Sequence, residues 1–347
     1  MGKARVAIIC GGKSSEHEIS CVSANGILNS IDRAAFEPVV IGITKSGKWL
    51  HLPDDTNFSI VNGALPTVPE SGIEVTLTSK GLISGGKDLA IDIAFPILHG
   101  PYGEDGTIQG LFEMIAIPYV GSGVLASAVS MDKSFAKPIF AAVGLKVAPG
   151  IVVTAKDFEL PSDLKMPLFV KPARSGSSRG TAKVKQISEL AAAVSNALTF
   201  DSKVIVEQAV VGKEIECAVL QADGQIKVSQ VGQIQLSEKF EFYDFQAKYL
   251  DDSMGLVVPA DLPAGADAKI QQAALAAFKA AGCEGLARID FFYSDQGEII
   301  INEINTMPGF TPTSVYPKLM EKSGINYQQL ITKLIQSAQN RSISITR

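Results

Sequence analysis

The sequence predicts a protein of α/β and α+β class, in which an N-terminal parallel α/β domain is followed by a two-lobed region. Over the first 121 residues, short apolar runs alternate with helical patterns, as in a parallel sheet covered by helices. Near the C-terminus two strand patterns flank a short turn, which is typical of an antiparallel pair. The length of 347 residues also exceeds that of one typical domain. We therefore expect three units, at residues 1–121, 122–208 and 209–347.

The first unit is expected to contain three buried strands and two helices. The strands are the runs RVAIIC, PVVIGI and IDIAFPIL. One helix covers Glu16–Ile31, and the other is IQGLFEMIA, which is followed by the run IPYVG. Because parallel strands end at one edge of their sheet, the functional loops should lie at that edge.

The other two units are expected to contain helices at Ser127–Ala142, Ala266–Ala281 and Gln328–Gln339. Between these lie a further helix, SELAAAVSNAL, and the strands LFVKP, KVIVEQ and EIECAVL. A polar and aromatic segment, EKFEFYDFQAKYLDD, has no clean period and is interpreted as a loop. The final strand pair is RIDFFYSDQGEIIINEIN.

Composition excludes several classes of function. The chain has 36 acidic and 31 basic side chains, so a role at nucleic acid or a membrane surface is not expected. Its apolar runs are shorter than the ~18 residues of a transmembrane helix, and VAIIC is too short for the core of a signal peptide. The four cysteines show no paired spacing, which disfavours a disulfide framework or zinc site and favours a cytoplasmic location.

The final strand pair carries the most informative polar pattern. A two-residue turn at Gln296–Gly297 would place Asp290 opposite Glu303. Since strand side chains alternate between faces, Arg288 and Asn305 would share the face of these two carboxylates. Two carboxylates and an amide oxygen suit a hard cation, most simply magnesium that holds phosphates. The alternative is a solvated hairpin face with an Arg–Asp ion pair.

Two further strand ends could bind a nucleotide. The strand LFVKP ends near Lys171 and leads into a loop of small residues, whose N–H groups could surround phosphates. The strand KVIVEQ ends near Glu207, with Glu214 seven residues later. The backbone N–H and C=O groups of such a strand could contact adenine, and a carboxylate could hold ribose hydroxyls. Taken alone, each feature is better explained by an ordinary turn or an exposed strand end.

Three other motifs match known functional signatures only in part. The run from Gly42 to Lys48 has P-loop spacing, but Trp49 stands where Ser or Thr should bind magnesium. The run GSGVLA after a strand fits a tight strand–helix turn better than a dinucleotide site. The sequence GSSRG around Ser178 matches a nucleophile elbow, yet all three histidines precede it, which is the wrong order for an α/β-hydrolase.

Taken in order, the motifs resemble those of the D-alanine–D-alanine ligase family within the ATP-grasp superfamily. They are GGKSSEHEIS, HGPYGEDGTIQG, GSGVLASAVSMDK, KPARSGSSRG, EQAVVGKE, FYDFQAKY, RID and NEINTMPGFTPTSVYP. The match extends from about residue 6 to residue 320 with similar spacing. The resemblance implies an N-terminal substrate-binding domain, a central ATP-grasp lobe, and a C-terminal lobe that carries the metal site and an active-site loop.

The resemblance assigns nucleotide and metal roles by matching positions. ATP is implied as co-substrate, with magnesium as the metal, in two ions that manganese could replace. The metal ligands would be Asp290, Glu303 and Asn305. The ATP-binding residues would be Lys133, Lys171, Glu207, Ala209, Val210, Glu214 and Lys248.

The resemblance also assigns the residues that contact D-alanine. Glu16, His99, Arg288, Gly309 and Ser314 would bind the substrates, and Arg288 and Gly309 would form the oxyanion site. The catalytic residues would be Glu16, Ser177, Tyr249, Arg288 and Gly309. From the residues themselves, Ser15–Glu18 also predicts a capping box that places Glu16 in the first turn of its helix.

The function implied is ATP-dependent joining of two D-alanines through a D-alanyl phosphate, for peptidoglycan synthesis. The partners are the small molecules ATP and D-alanine, and the sequence leaves open whether the chain forms a homodimer. The nearest alternative is a D-alanine–D-lactate ligase, against which Tyr249 argues. A serine hydrolase and an inactive ATP-grasp binding module are the alternatives from other classes. Two departures from the family pattern are Arg179 and Gln246.

Overall fold

The computed structural model describes residues 2–79, 81–235 and 255–341. The strands of these ranges are β1 Ala4–Gly11, β2 Phe36–Ile43, β3 Trp49–His51, β4 Ile73–Thr78, β5 Gly81–Ser84, β6 Lys87–Asp88, β7 Ile93–Pro96, β8 Lys146–Val147, β9 Gly150–Val153, β10 Leu168–Pro172, β11 Ala182–Val184, β12 Val204–Gln208, β13 Gly212–Ala222, β14 Gln225–Gln235, β15 Gly255–Val257, β16 Leu286–Ser294 and β17 Ile299–Asn305. The helices are α1 His17–Ser30, α2 Thr107–Met114, α3 Val124–Met131, α4 Lys133–Ala142, α5 Ile187–Ala197, α6 Ala266–Ala280, α7 Val315–Lys322 and α8 Tyr327–Gln339.

The first sheet has seven strands in the order β6-β5-β4-β3-β2-β1-β7. Its centre is parallel, because β1 pairs in parallel with both β2 and β7. This confirms the predicted parallel core, whose strands are almost continuously apolar and buried. The strands β3 to β6 extend the sheet in antiparallel fashion, and β4 to β6 were not predicted.

The other two sheets have four strands, β11-β10-β12-β9, and six strands, β15-β14-β13-β16-β17-β8. The four-stranded sheet is covered by α5, whose capping box joins Gln186 and Glu189. The six-stranded sheet packs its apolar face on α6, which buries Ile270 and Phe278. Phe140 of α4 belongs to the same core, and β8 pairs with β17, so residues before the four-stranded sheet also pack on the third.

One hydrophobic cluster joins the first sheet to the C-terminal segment. Phe310 lies at its centre, 5.7 Å from Phe95 of β7 in an edge-on arrangement and 6.0 Å from Tyr316 of α7 in a stacked one. All three rings are fully buried, as are Ile8 of β1 and Leu330 of α8. This shared core fixes the loop before α7 against the carboxyl edge of the first sheet, where functional loops were expected.

The prediction of a single helix over Ser127–Ala142 is wrong, since the structure has two helices that meet at Asp132. Asp132 has an extended backbone, and its side chain accepts a hydrogen bond from the N–H of Ser134. An Asp with this geometry is a typical N-cap, and it begins a new helix at Lys133. The break therefore places Lys133 at a helix start.

Within the described ranges, the helices are too short or too polar for any of them to cross a bilayer.

Candidate active site

The hairpin of β16 and β17 presents its polar residues on one face, as predicted. Asp290 pairs with Glu303, and Arg288 pairs with Asn305. The apolar Ile289 and its neighbours point the other way, into the core.

The prediction of a two-residue turn is wrong, although the predicted pairing of Asp290 with Glu303 is correct. The residues between Ser294 and Glu298 form a three-residue turn, closed by a hydrogen bond from the N–H of Gly297 to the Ser294 carbonyl. A bulge then restores the register, because Asp290 pairs with Glu303 whereas Phe291 pairs with Ile301. The extra residue is Asn302, and the two irregularities cancel at the carboxylates.

The bulge turns two successive side chains toward the same cleft. Asn302 and Glu303 both line it, whereas successive residues of a regular strand point to opposite faces. The amide oxygen of Asn302 accepts a hydrogen bond of 3.1 Å from the ammonium of Lys171. Asn302 was not identified from the sequence, because a bulge leaves no residue pattern of its own in this strand.

The charges on this face are already paired with basic side chains. Arg288 donates to both oxygens of Asp290 at 2.8 and 2.7 Å, and it also lies 2.9 Å from Glu216. The amide of Asn305 donates to Asp290 at 3.0 Å, and the ammonium of Lys133 lies 3.1 Å from Glu303.

This donor set fits magnesium that is shared with a substrate. The oxygen-bearing side chains of Asp290, Glu303 and Asn305 are the hard ligands that magnesium prefers. The described part of the chain contains no group of three or more His, Cys, Asp or Glu placed to hold a metal by themselves. A magnesium ion here would therefore need further oxygens, which phosphates supply.

Lysines surround the same cleft from the second sheet and α4. Lys133, at the first position of α4, donates to the carbonyl of Ser175 at 3.1 Å. Lys171 lies at the end of β10, and Glu214 lies on the cleft wall at the start of β13. The loop after β10 contributes Ser175, Ser177 and other small residues. Two lysines and four carboxylates thus line the cleft, so phosphates would bind at the lysines and the loop together with a metal cation that offsets the carboxylates.

Glu207 lies between two lysines beneath this cleft. Its oxygens are 2.6 Å from Lys171 and 2.6 Å from Lys137, and its side chain is 3% exposed. Burial raises the pKa of the Glu207 carboxyl, but the ammonium groups of Lys137 and Lys171 outweigh burial and lower this pKa to about 2. Lys137 was missed in the sequence, although its spacing of four from Lys133 puts both on one helix face.

Ala209 and Val210 lie in the link between β12 and β13. The N–H of Ala209 donates to the carbonyl of Pro167, so this part of the link is fixed to the strand beside it. Lys248, Tyr249 and Gln246 lie outside the described residues.

A second cleft adjoins the first and is lined by all five residues expected to contact D-alanine. They are Glu16, His99, Arg288, Gly309 and Ser314. Ser177 lines both clefts, and its hydroxyl donates to the carboxylate of Glu16. This hydrogen bond connects the loop after β10 with the start of α1.

The predicted capping box at Ser15–Glu18 is wrong. Helix α1 begins at His17, and Glu16 is the N-cap residue rather than part of the first turn. The N–H of Glu16 bonds to the hydroxyl of Ser14, and its carboxylate is directed to Ser177. Contacts from a distant loop thus outweigh the local capping signal.

Two glycines allow the loops to approach this carboxylate. A Cβ at Gly100 would lie 2.7 Å from an oxygen of Glu16, and one at Gly176 would lie 3.0 Å from the same oxygen. Gly100 also has φ +72°, in the left-handed region. A larger residue at either position would push Glu16 out of the cleft.

His99 is buried and held on both ring nitrogens. Nδ1 lies 3.0 Å from the carbonyl of Met307, to which it donates, and Nε2 accepts from the hydroxyl of Ser23 at 3.2 Å. Burial lowers the pKa of the His99 imidazole, and the nearby charge of Glu16 only partly opposes this. His99 is therefore neutral near pH 7 and fixes the backbone at Met307.

Glu104 was missed although it stands in the motif HGPYGEDG. Its carboxyl oxygens accept from the N–H of Gly100 at 2.6 Å and from the N–H of Met307 at 3.3 Å. Burial raises the pKa of this carboxyl, and the charge of Glu16 adds to the effect, so the pKa is about 8. His99 and Glu104 together bind both backbone polar groups of Met307, two residues before Gly309.

Ser314 and Gly309 form the far wall of this cleft. Ser314 is the N-cap residue of α7, and its hydroxyl accepts from the N–H of Thr311 at 3.0 Å. A Cβ at Gly309 would lie 3.2 Å from that hydroxyl, so the two residues are neighbours. Arg179, which departs from the family pattern, is exposed on the loop after β10.

The chain matches two family models and a relative of known name. The family model described as the D-ala D-ala ligase N-terminus matches residues 5–122, and that of the C-terminus matches residues 139–336. A D-alanine–D-alanine ligase of Arthrobacter sp. strain FB24 is 46% identical, covering 99% of this chain and 96% of that protein.

Two solved structures are similar over nearly the whole chain. The VanG D-Ala:D-Ser ligase of Enterococcus faecalis has a TM-score of 0.84 and 36% identity, covering 97% of this chain and all (100%) of that one. The D-alanine–D-alanine ligase of Coxiella burnetii has a TM-score of 0.82 and 34% identity, covering 98% of this chain and 96% of that one.

Proposed function

The chain belongs to the D-alanine–D-alanine ligase family, and we propose that it joins two D-alanines, with ATP converted to ADP and phosphate, at the site described above. The second and third sheets are the two lobes of an ATP-grasp fold, and the product serves peptidoglycan synthesis. The observation that carries the proposal is the position of Ser177 on both clefts, in contact with Glu16. An amino acid held by Glu16 would then have its carboxylate beside the phosphate-binding loop.

In the first step, the carboxylate of one D-alanine attacks the γ-phosphate of ATP and forms D-alanyl phosphate. Glu16 binds the ammonium of this D-alanine, and His99 and Ser177 keep Glu16 and the neighbouring loop in place. Lys133 and Lys171 bind phosphate oxygens and offset the charge that spreads over the transferred group. Catalysis at this step is chiefly positioning and electrostatic stabilisation.

In the second step, the amine of the other D-alanine attacks the acyl phosphate and phosphate leaves. The tetrahedral intermediate carries an oxyanion, which Arg288 and the N–H of Gly309 stabilise. Ser314 binds the carboxylate of the second D-alanine. Tyr249 acts with Ser177 and Glu16 to close the site.

Asp290, Glu303 and Asn305 would hold two magnesium ions, which manganese could replace. Bound there, the metal neutralises phosphate charge during transfer. Around the nucleotide, Glu207 accepts a hydrogen bond from the adenine amino group and Glu214 binds ribose hydroxyls. Ala209, Val210 and Lys248 complete the nucleotide site.

The wider organisation is proposed from the same resemblance. Residues 1–121 bind substrate, 122–208 form the central lobe, and 209–347 form the lobe with the metal site. A homodimer is compatible with exposed apolar side chains such as Met114 and Leu125, which are 85% and 76% exposed. A cytoplasmic location is supported by the four cysteines, all of which are buried free thiols.

The test is phosphate release from ATP with D-alanine, L-alanine and D-lactate supplied singly and in pairs. We expect release with D-alanine alone, together with D-alanyl-D-alanine as the product by mass spectrometry. Activity that appears only when D-lactate accompanies D-alanine would instead favour a depsipeptide ligase, which the names of the relatives do not favour. D-serine added as acceptor separates this chain from the D-Ala:D-Ser type.

A further inference from the structure

Lys137 is a buried cation for which the reaction described above has no use. It lies on α4, one turn beyond Lys133, and its side chain is 11% exposed. Its ammonium is 2.6 Å from one oxygen of Glu207, while Lys171 is 2.6 Å from the other. The Glu207 carboxylate is thus held from two sides by two elements, α4 and β10.

The two lysines differ in their access to the nucleotide. Lys171 lines the nucleotide cleft together with Lys133, and it also donates to Asn302. Among the described residues, neither Lys137 nor Glu207 is one of those that line this cleft. Lys171 can therefore reach a phosphate, whereas Lys137 has its ammonium on Glu207.

A buried carboxylate is costly when its partner leaves. Removing one member of a buried ion pair leaves an uncompensated charge, which is more unfavourable than removing both. If Lys171 moves from Glu207 to a phosphate, one oxygen of Glu207 loses its donor. Lys137 is then the cation that remains in contact with the carboxylate.

We propose that Lys137 is a positioning residue for the nucleotide, which holds Glu207 in place while Lys171 is exchanged for the adenine amino group. Lys171 leaves one oxygen of Glu207 for a phosphate, and the amino group donates to that oxygen instead. Lys137 stays on the other oxygen throughout. The inference rests on the proposed role of Glu207 at adenine.

The exchange links base recognition to phosphate binding. A base with an exocyclic amine supplies the donor that releases Lys171, whereas hypoxanthine presents a carbonyl at the same position. A nucleotide without the amine would leave Glu207 competing with the phosphates for Lys171. Lys137 makes the exchange possible because it keeps Glu207 ionised and therefore an acceptor only.

The experiment compares Lys137→Met with the wild-type enzyme in steady-state kinetics with ATP and with inosine triphosphate. We expect the KM for ATP to rise about tenfold or more, since a buried charge loses its partner. The KM for D-alanine at saturating ATP should stay within about twofold. Preference for ATP over inosine triphosphate should fall, and Lys137→Arg should restore part of both effects.

A pH profile and a matched control variant separate a positioning role of Lys137 from a general loss of structure. The groups that face Glu207 are Lys137 and Lys171, and beyond them lie Lys133, Glu214 and Glu303. Losing Lys137 raises the pKa of Glu207, so the KM for ATP of the variant should rise as pH falls. The matched control is Lys146→Met, which removes an exposed lysine paired with Glu298 and should leave both nucleotide KM values unchanged.

The double variant Lys137→Met with Glu207→Gln decides the case even if Lys137→Met alone does not fold. Removing both charges avoids a lone buried ion. If Lys137 acts through Glu207, its substitution should change the kinetics of Glu207→Gln little, and a large further rise of the KM for ATP in the double variant would overturn the proposal. A Lys137→Met enzyme with the wild-type KM for ATP and wild-type base preference would also overturn it. Equal use of both nucleotides by the wild-type enzyme would instead reject the role of Glu207 at adenine.

Discussion

The nucleotide half and the D-alanine half of the site each contain a glutamate whose pKa is strongly shifted, and the shifts are opposite. Glu207 lies between two lysines, and its pKa is about 2 although it is almost fully buried. Burial and the charge of Glu16 raise the pKa of Glu104 to about 8, although hydrogen bonds from backbone N–H groups oppose this shift. The same residue type is therefore a permanent anion in one cleft and a neutral acid near pH 7 in the other.

This difference follows from what each half must bind. Phosphates need an excess of positive charge, so the nucleotide half brings several lysines together and balances them with buried carboxylates. The ammonium of D-alanine needs one negative charge, and a second ionised carboxylate beside Glu16 would be repelled by it. In the D-alanine half, Glu104 therefore accepts hydrogen bonds from backbone N–H groups and does not act as a charged group.

The largest effect should come from removing charge at the metal face. Asp290→Asn or Glu303→Gln should lower kcat by roughly 100-fold or more, because each removes a carboxylate that would hold the metal on the phosphates. The KM for D-alanine should change less than kcat. The measurement is initial rate at a series of magnesium concentrations, with thermal unfolding to verify the fold.

The control for that experiment lies on the same hairpin. Glu298→Gln makes the same change at an exposed position at the end of the turn, where Glu298 pairs with Lys146 at the surface. It should leave kcat unchanged. Near-normal turnover by both metal-face variants at limiting magnesium would show that the hairpin is only a solvated ion-pair face.

The alternation of side chains between the two faces of β16 and β17 was enough to predict which residues share the metal face. The faces of Asp290 and Glu303 follow from a two-residue period, which holds as long as the register is correct. The register was correct only because a longer turn and the bulge at Asn302 cancel each other. Neither irregularity could be read from residue pattern, since both depend on how β16 meets its partner.

The buried charges were harder to predict than the strands. In sequence, Lys137 and Glu104 have the appearance of surface residues in a helix and a loop, because burial depends on elements far along the chain. Lys137 forms its ion pair with Glu207, 70 positions away, and Glu104 accepts a hydrogen bond from the N–H of Met307. The N-cap at Glu16 was misplaced for the same reason, since its carboxylate contacts Ser177 rather than its own helix.

A smaller effect is expected from the anion that would bind the first D-alanine. Glu16→Gln should raise the KM for the first D-alanine roughly 10- to 100-fold, because a neutral amide loses the charge-assisted contact with an ammonium. The KM for ATP should change little, which would separate the two halves of the site. Initial rates over a range of D-alanine at saturating ATP provide the measurement.

Glu18→Gln is the matched control, since Glu18 lies two residues further on and pairs with Lys45 at the surface. That variant should keep the wild-type KM for D-alanine. If Glu16→Gln behaves in the same way as Glu18→Gln, then Glu16 is only a charge at a helix end.

The smallest effect, visible only against pH, concerns the two shifted glutamates. The pKa of Glu104 is raised from about 4.5 to about 8, so the folded protein keeps a proton that the unfolded chain releases between these values. The free energy of unfolding should therefore fall as pH rises from about 4.5 to 8, by at most about 1.4 kcal/mol per pH unit. Glu104→Gln mimics the protonated acid, so it should remove this fall and match the wild type near pH 5.

The pH dependence that Glu207 gives to stability has the opposite sign, because the pKa of Glu207 is depressed to about 2. The stability that Glu207 contributes above pH 4.5 should be lost as pH falls toward 2. Urea unfolding of wild type, Glu104→Gln and Glu207→Gln from pH 3 to pH 9 measures both slopes, and parallel curves for wild type and Glu104→Gln would mean that Glu104 is ionised like Glu207.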